Sequence, residues 1–424
     1  MNRISAMFRK IKYHPLIDLL VNLRGNARVC VYIEPLWGIP MNLIAPFATI
    51  YMYNLGVKDI QIGFILSIAM MVQLFFSFFG GIFADKLGRK TTTMLGDVLG
   101  WCVPCLVWAV AQNFWFFLIA MVLNSFEQIN QTSWSCLLIE DAEQSKVVGI
   151  YTWITIAGLL AVFFAPISGI LMSNFSLIPV MRTLYFIFAT GMLIKTFITY
   201  KYTTETGQGK IRKEETKNTS MLKMLGEYKG LVPEIVKNKK TMQTLIIMVL
   251  LYICMMISGN FFGLYAGETL QIPRSFLAYF PILRAVIMLV FMFGVQHRIK
   301  SLKIPMSVGL LMFVSAQLLL IFSVKGQVFT LVIYTMLEAM AHALVMPRKD
   351  ALVVESVDPQ ERARIVAMMT GIVIAVAMPF GYITGTLSDI DRRLPFALST
   401  ALFLLAILVV SRVKEEKKHG KVEA

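Results

Sequence analysis

Twelve apolar stretches, each about long enough to cross a bilayer, dominate this sequence and leave few folds open to it. They fall at 29–54, 59–84, 91–112, 113–138, 147–172 and 179–200 and, after a polar interval at 201–240, at 241–266, 275–296, 304–323, 327–346, 365–387 and 395–411. A helix of ~20 residues spans the ~30 Å hydrocarbon core, and backbone groups in that core must satisfy one another within a helix or a closed barrel. Most links between the stretches are too short for anything but turns. Composition agrees: 57% of residues are hydrophobic and 15% charged, against about 25% charged in an average soluble domain. The expected fold is an all-α integral membrane protein with twelve transmembrane helices in two six-helix bundles.

An even number of spans puts both termini on one side, and the 40 Lys and Arg residues indicate which. With both termini cytoplasmic, 32 of the 40 lie in inner segments. Five lie in outer links (Lys58, Arg274, Lys325, Arg392, Arg393) and three within spans (Arg182, Lys195, Arg284). The formal charge of +15 is therefore a topology signal, and nucleic acid is not an expected partner. The expected organisation is a basic cytoplasmic or interfacial segment at 1–28, a bundle at 29–200, a cytoplasmic linker at 201–240, a second bundle at 241–411 and a tail at 412–424. In the first segment Met7, Phe8, Ile11, Leu16, Ile17, Leu20 and Leu23 suit an interfacial amphipathic helix. A cleaved signal peptide fits poorly, because the first long apolar run starts at Val29 and is interrupted by Glu34 and Pro35. In the linker, some helix is expected near Met221 to Lys229.

The halves carry a faint repeat: Cys136-Leu-Leu-Ile-Glu140 resembles Ala351-Leu-Val-Val-Glu355 at an offset of 215 residues, which also sets the fourth span on the tenth. Two parallel repeats of this kind suit secondary transporters. Between the second and third spans stands Gly81-Ile-Phe-Ala-Asp85-Lys86-Leu-Gly88-Arg89-Lys90. Gly81 is expected to permit close helix approach and Gly88 a tight reversal, while Asp85 can accept from a helix N-terminus. This segment resembles, in pattern and position, the signature loop of the major facilitator superfamily. The resemblance implies alternating access between two rigid bundles, with the first, fourth, seventh and tenth helices lining a central cavity. It also implies docking of Asp85 against the start of the eleventh helix and pairing of Arg89 with Glu140 and Asp141. The second-half counterpart, Gly294-Val-Gln-His-Arg-Ile-Lys300, lacks the acid and the second glycine, so a symmetric gate is not expected.

The fourth span supports a polar cavity independently. Asn124, Glu127, Gln128, Gln131 and Ser135 recur at helical spacing and form one polar stripe. Thr335, Glu338 and His342 share a face of the tenth span; Glu34, Trp37, Met41 and Asn42 cluster in the first; the seventh offers Asn260 and Tyr252. Ionisable groups at membrane depth are costly and usually functional, which singles out Glu34, Glu127, Glu338, His342 and Arg284. A buried carboxylate can exchange protons as its surroundings change, and Glu127, then Glu34, are the candidates. Arg284 can balance an acid or bind an anionic group, whereas Arg182 and Lys195, nearer span ends, can snorkel. Asp97 reads as a structural contact.

Ala157, Ala161, Ala165 and Gly169 form a small-residue packing ridge in the fifth span, with Pro166 inside it. This run also weakly resembles an antiporter motif of the family. Trp101-Cys102-Val-Pro104-Cys105 imitates a redox site but lies in an apolar helix without βαβ context, and five cysteines make no disulfide scaffold. No Walker loop, HExxH or Cys/His metal spacing occurs. Neither a cofactor, nor a metal, nor an enzymatic activity is expected. The expected function is secondary transport of a small solute, coupled to protons or Na⁺. Export of amphipathic or cationic compounds and uptake of a sugar-like or organic solute are both open, and a non-transporting receptor is the reading from another class. Short loops suggest a bacterial cytoplasmic membrane, and a monomer would suffice.

Overall fold

The computed structural model describes residues 15–143, 146–220, 238–294, 301–356 and 362–413. Among these residues every regular element is helical, as backbone satisfaction inside hydrocarbon demands. The chain divides into two compact units, residues 1–227 and 228–424.

The first unit begins with α1 (Pro15–Asn22), α2 (Gly25–Ile33), α3 (Pro35–Ile44) and α4 (Ala48–Asn54). It continues with α5 (Asp59–Leu87), α6 (Arg89–Asp97), α7 (Val103–Ala109), α8 (Phe114–Asn124) and α9 (Glu127–Ile139). It closes with α10 (Val147–Val162), α11 (Ala165–Asn174), α12 (Leu177–Tyr202) and α13 (Gly207–Thr216). The second unit holds α14 (Lys239–Leu264), α15 (Arg274–Leu277), α16 (Phe280–Gly294), α17 (Lys303–Ile321), α18 (Val328–Glu355), α19 (Arg362–Ile390) and α20 (Leu394–Ser411).

Ten helical segments among the described residues, rather than the expected twelve, are long and apolar enough to cross a membrane. The other two stretches, 29–54 and 113–138, are helical but interrupted. In the first, α2 gives way at Glu34 to α3, which opens with Pro35, and Pro46 lies in a 3₁₀ turn between α3 and α4. In the second, Ser125 and Phe126 separate α8 from α9, and Glu127, Gln128, Asn130 and Gln131 lower the hydropathy. The irregular spans are thus those that carry the polar stripe and Glu34.

The helix of the first span starts at Gly25 rather than Val29, and Leu23, Ala27, Cys30 and Val31 pack with Leu137, Leu138 and Ile150. The end of the expected interfacial segment is therefore bundle core; Met7, Phe8 and Ile11 lie outside the described residues. The small-residue ridge is used as expected, because a Cβ on Gly38 would stand 3.3 Å from Ala161, and Ala165 is wholly buried. Glu140 caps α9 and Glu355 ends α18, so the two copies of the short repeat both terminate helices. The helix expected near Met221 to Lys229 lies outside the described residues.

In the second unit, Met306, Leu310 and Phe313 of α17 interleave with Leu251 and Cys254 of α14, Ala341 and Val345 of α18, and Phe403 and Ala406 of α20. Gly309 permits the closest approach, since a Cβ there would meet Val345 Cγ2 at 2.7 Å and Leu344 Cβ at 3.0 Å. Phe313 and Phe403 stack at 4.7 Å with 2° between planes. Phe403→Ala is expected to lower the unfolding free energy by about 3–5 kcal/mol. Phe329→Ala, at a side chain 75% exposed, should leave the melting curve in detergent unchanged.

Candidate substrate cavity and signature loop

The cavity in the first unit originates in the third span. Proline at 104 has no N–H, so the carbonyl of Gly100, four residues earlier, loses its ordinary helical donor. The chain answers with a π turn at Val98–Cys102, and Asn124 Nδ2 donates to Gly100 O at 2.7 Å. Gly96 and Gly100, one turn apart, bring α9 against this stretch. A Cβ on Gly96 would stand 2.5 Å from Asn130 Cβ, and one on Gly100 2.9 Å from Glu127 N. Backbone contact therefore sets the depth of Glu127 and Asn130.

Glu34, Trp37, Trp101, Glu127, Asn130, Gln131, Trp134 and Lys195 line the resulting cavity of about 150 Å³. Trp37 and Trp101 meet edge to face at 5.6 Å, and Trp101 also packs on Phe188 at 5.3 Å. Of the residues expected here, Glu34, Trp37, Glu127 and Gln131 come together. Asn42, Asn124 and Gln128 lie outside the lining; Asn42 Nδ2 donates to Gly38 O at 2.8 Å within its own helix, and Asn124 serves Gly100.

Sequence reasoning missed three elements of the site. Lys195 does not snorkel: it is 5% exposed, and its Nζ lies 3.3 Å from Asp97 Oδ1. Asp97, wholly buried, also accepts from Asn130 Nδ2 at 2.7 Å. Trp101 and Trp134 complete an aromatic wall. The spacing of Gly96 and Gly100 was the signal that could have placed Asp97 against the fourth span. Arg182 Nη2 reaches the carbonyl of Ala111 at 3.0 Å.

In the second unit Arg284 Nη2 pairs with Glu338 Oε1 at 3.0 Å, and Glu338 is 4% exposed. Tyr334, one turn earlier, stacks on Phe262 at 5.1 Å. His342, one turn later, buries Nδ1 without a partner. Asn260 Nδ2 returns to Met256 O at 2.8 Å.

The signature loop pairs Arg89 with Glu140, as its residues suggest, and adds contacts that they do not. Close helix approach belongs to Gly80, where a Cβ would stand 2.9 Å from Thr132 Oγ1; a Cβ on Gly81 would meet nothing within 4 Å. Gly88 has φ 92°, as the reversal requires, and a side chain there would collide with the carboxylate of Glu205. Glu205 caps α6: its oxygens accept from Arg89 N at 2.7 Å and Lys90 N at 3.2 Å. Asp85 accepts from Arg89 Nη1 at 2.7 Å and Arg212 Nη2 at 2.9 Å.

Arg89 also reaches Glu140 at 3.1 Å, Asp141 accepts from Gly207 N at 3.0 Å, and Lys90 Nζ caps the end of α12 at Tyr200 O and Thr203 O. Lys86 occupies the last turn of α5. The linker thus begins with an ordered clasp: Thr206 Oγ1 donates to Glu140 at 2.5 Å, and α13 lays Arg212 on Asp85. Hydrogen bonding to Asp85, with the acid's charge next, raises Arg212 above the ordinary arginine value. Residues 295–300 of the second-half counterpart lie outside the described residues.

Glu205→Ala leaves two N-terminal amides of α6 without an acceptor and should cost about 1–2 kcal/mol in thermal unfolding. Arg212→Ala, at a side chain 40% exposed, should cost under about 1 kcal/mol, with that difference shrinking in high salt.

The family model for the Major Facilitator Superfamily matches residues 37–299 and 295–424. The multidrug resistance protein MdtG of Citrobacter koseri is 27% identical over 203 residues, covering 46% of this chain and 49% of that protein. The uncharacterized MFS-type transporter YqjV of Bacillus subtilis is 28% identical over 127 residues, covering 30% and 31% respectively. The chain therefore spans half or less of the length of these curated relatives. A solved mutant of the nucleoside transporter NupG superposes with a TM-score of 0.72 at 16% identity, covering 91% of this chain and 99% of that one. The inward-open xylose transporter XylE from E. coli gives 0.66 at 13%, covering 95% and 98%. At such identities the likeness is one of fold. Ten membrane-length helices, the signature loop and the family match together assign the chain: it belongs to the Major Facilitator Superfamily, a family of multi-pass membrane transporters and not of enzymes.

Proposed function

We propose that this protein exports small amphipathic cations across a bacterial cytoplasmic membrane by alternating access, in exchange for protons. The observation that carries this reading is the cavity that sets Glu34 and Glu127 among Trp37, Trp101 and Trp134. Indole faces attract a cationic head as well as apolar rings, and two carboxylates supply the charge. Protons and a substrate cation can then compete for the same oxygens, which is the minimum an exchanger requires. The names of the MdtG relatives agree with export of drug-like compounds. The topology proposed with it has both termini, the 201–240 linker and the tail at 412–424 in the cytoplasm, following the Lys and Arg distribution.

Uptake of a hydroxyl-rich solute would draw on side-chain amides, and most of the asparagine amides near the two sites already donate to protein acceptors, leaving Gln131 in the cavity lining. Asn42 and Asn260 bond to their own helices, Asn124 to Gly100 O and Asn130 to Asp97. In the second unit, the reading gives Arg284 and Glu338 the role of a paired charge available for exchange, with His342 beside it.

Benzyltrimethylammonium at a hundred times its dissociation constant should stabilise the purified protein by about 2.7 kcal/mol. Its carbon isostere neopentylbenzene should stabilise it far less. In proteoliposomes, a pH gradient should drive movement of the cation, and Glu127→Gln should lower that rate by about tenfold or more, the loss of a charge-assisted contact of roughly 1.5–3 kcal/mol. Full gradient-driven transport in the Gln variant would remove the proton-coupling assignment. Binding without movement across the bilayer would make the protein a receptor.

A further inference from the structure

The ammonium of Lys195 is a cation already installed in the wall of the cavity. It sits in α12, with one carboxylate at 3.3 Å from Nζ, and that carboxylate is Asp97 of α6. Lys195, with Asp97 against it, lines the same cavity as Glu34 and Glu127. The titratable groups facing this cluster from the elements packed around it are Cys30 of α2, Glu34 between α2 and α3, Cys102 of the π turn and Glu127 of α9. The cluster thus holds three carboxylates and one ammonium. Three of its polar atoms, Asp97 Oδ2, Asn130 Oδ1 and Trp134 Nε1, are buried without a partner, an arrangement that a purely structural ion pair would not need.

We propose that Lys195 is a tethered competitor of the transported cation: its charge, partly offset by Asp97, sets how tightly Glu34 and Glu127 hold either a substrate cation or protons. The inference rests on the reading of this cavity as a cation site. The physical argument is Coulombic. Inside a poorly solvated site, a fixed unit charge changes the affinity for a second charge by a factor of ten or more at an effective dielectric near ~20. A positive wall lowers the affinity of the carboxylates for every cation, which keeps a bound substrate releasable. Asp97 opposes that effect, so the balance of the pair, rather than either member, tunes the site. Lys195 can act in this way because burial and the contact with Asp97 hold its compact ammonium in the wall.

The pattern expected on substitution is signed. Lys195→Met should tighten binding of benzyltrimethylammonium, measured at a pH high enough to ionise the glutamates, by about tenfold or more. It should also move upward the pH at which half of that binding is lost to protons. Asp97→Asn should do the opposite on both counts. Lys195→Arg, which keeps the charge, and the Lys195→Met/Asp97→Asn pair, which removes both charges together, should return close to the parent protein.

A structural role would give another pattern: Lys195→Met and Asp97→Asn would both weaken binding, leave the pH midpoint in place and lower the melting temperature together. That outcome overturns the proposal. If Lys195→Met does not fold, because a lone Asp97 is left buried, the comparison of Asp97→Asn with the double variant decides: the first must weaken binding and the second must restore it. Failure of the underlying reading looks different. In that case the parent protein binds the quaternary ammonium no better than neopentylbenzene, and Glu34→Gln and Glu127→Gln change nothing.

Discussion

A backbone carbonyl that loses its helical donor inside hydrocarbon must find another donor or be shielded by protein, and this constraint shapes the irregular parts of the first unit. Pro104 frees the carbonyl of Gly100; the π turn and the Asn124 amide answer it. Pro40 frees the carbonyl of Leu36, which lies so near α12 that a Cβ on Gly191 would stand 3.1 Å from it. Each repair brings two helices to backbone distance. The cavity with Glu34 and Glu127 lies beside these close approaches. The π turn supplies Trp101 to that lining, and the break between α2 and α3 supplies Glu34.

Charge then follows from space. Ionised groups buried singly would be prohibitively costly, and a network tolerates them only when each is matched or hydrogen-bonded. In the first unit Asp97 is matched by Lys195 and bonded by Asn130. In the second, Glu338 is matched by Arg284. Glu34 and Glu127 have no such matched cation, and they are the two acids that line the cavity. Each matched acid joins two helices, Asp97 of α6 to Lys195 of α12 and Glu338 of α18 to Arg284 of α16.

The architecture was legible in the sequence because hydrocarbon imposes so coarse a rule: length and apolarity alone mark most spans. The two stretches that fall short do so for reasons equally visible, Pro35 and Pro46 in one and the amide-rich stripe in the other. The site was legible in part. Glu34, Trp37, Glu127 and Gln131 were found because polar residues in apolar runs stand out. Lys195 was misread because distance along a helix says little about depth once helices are broken and tilted, and because its partner lies on another span. Glu205 carried no local signal: a linker acid becomes a helix cap only when the chain folds back on the loop.

The clasp at the signature loop shows how a short linker segment can bear on a loop distant in sequence. Asp85 has two oxygens, and Arg89 and Arg212 each take one. Arg89 is shared with Glu140, and Glu140 with Thr206. Glu205 meanwhile fixes the first amides of α6, the helix that ends at Asp97. From that cap α6 runs nine residues to Asp97, the partner of Lys195. The loop clasp and the buried charge pair thus stand at the two ends of one helix, and the π turn begins directly after Asp97.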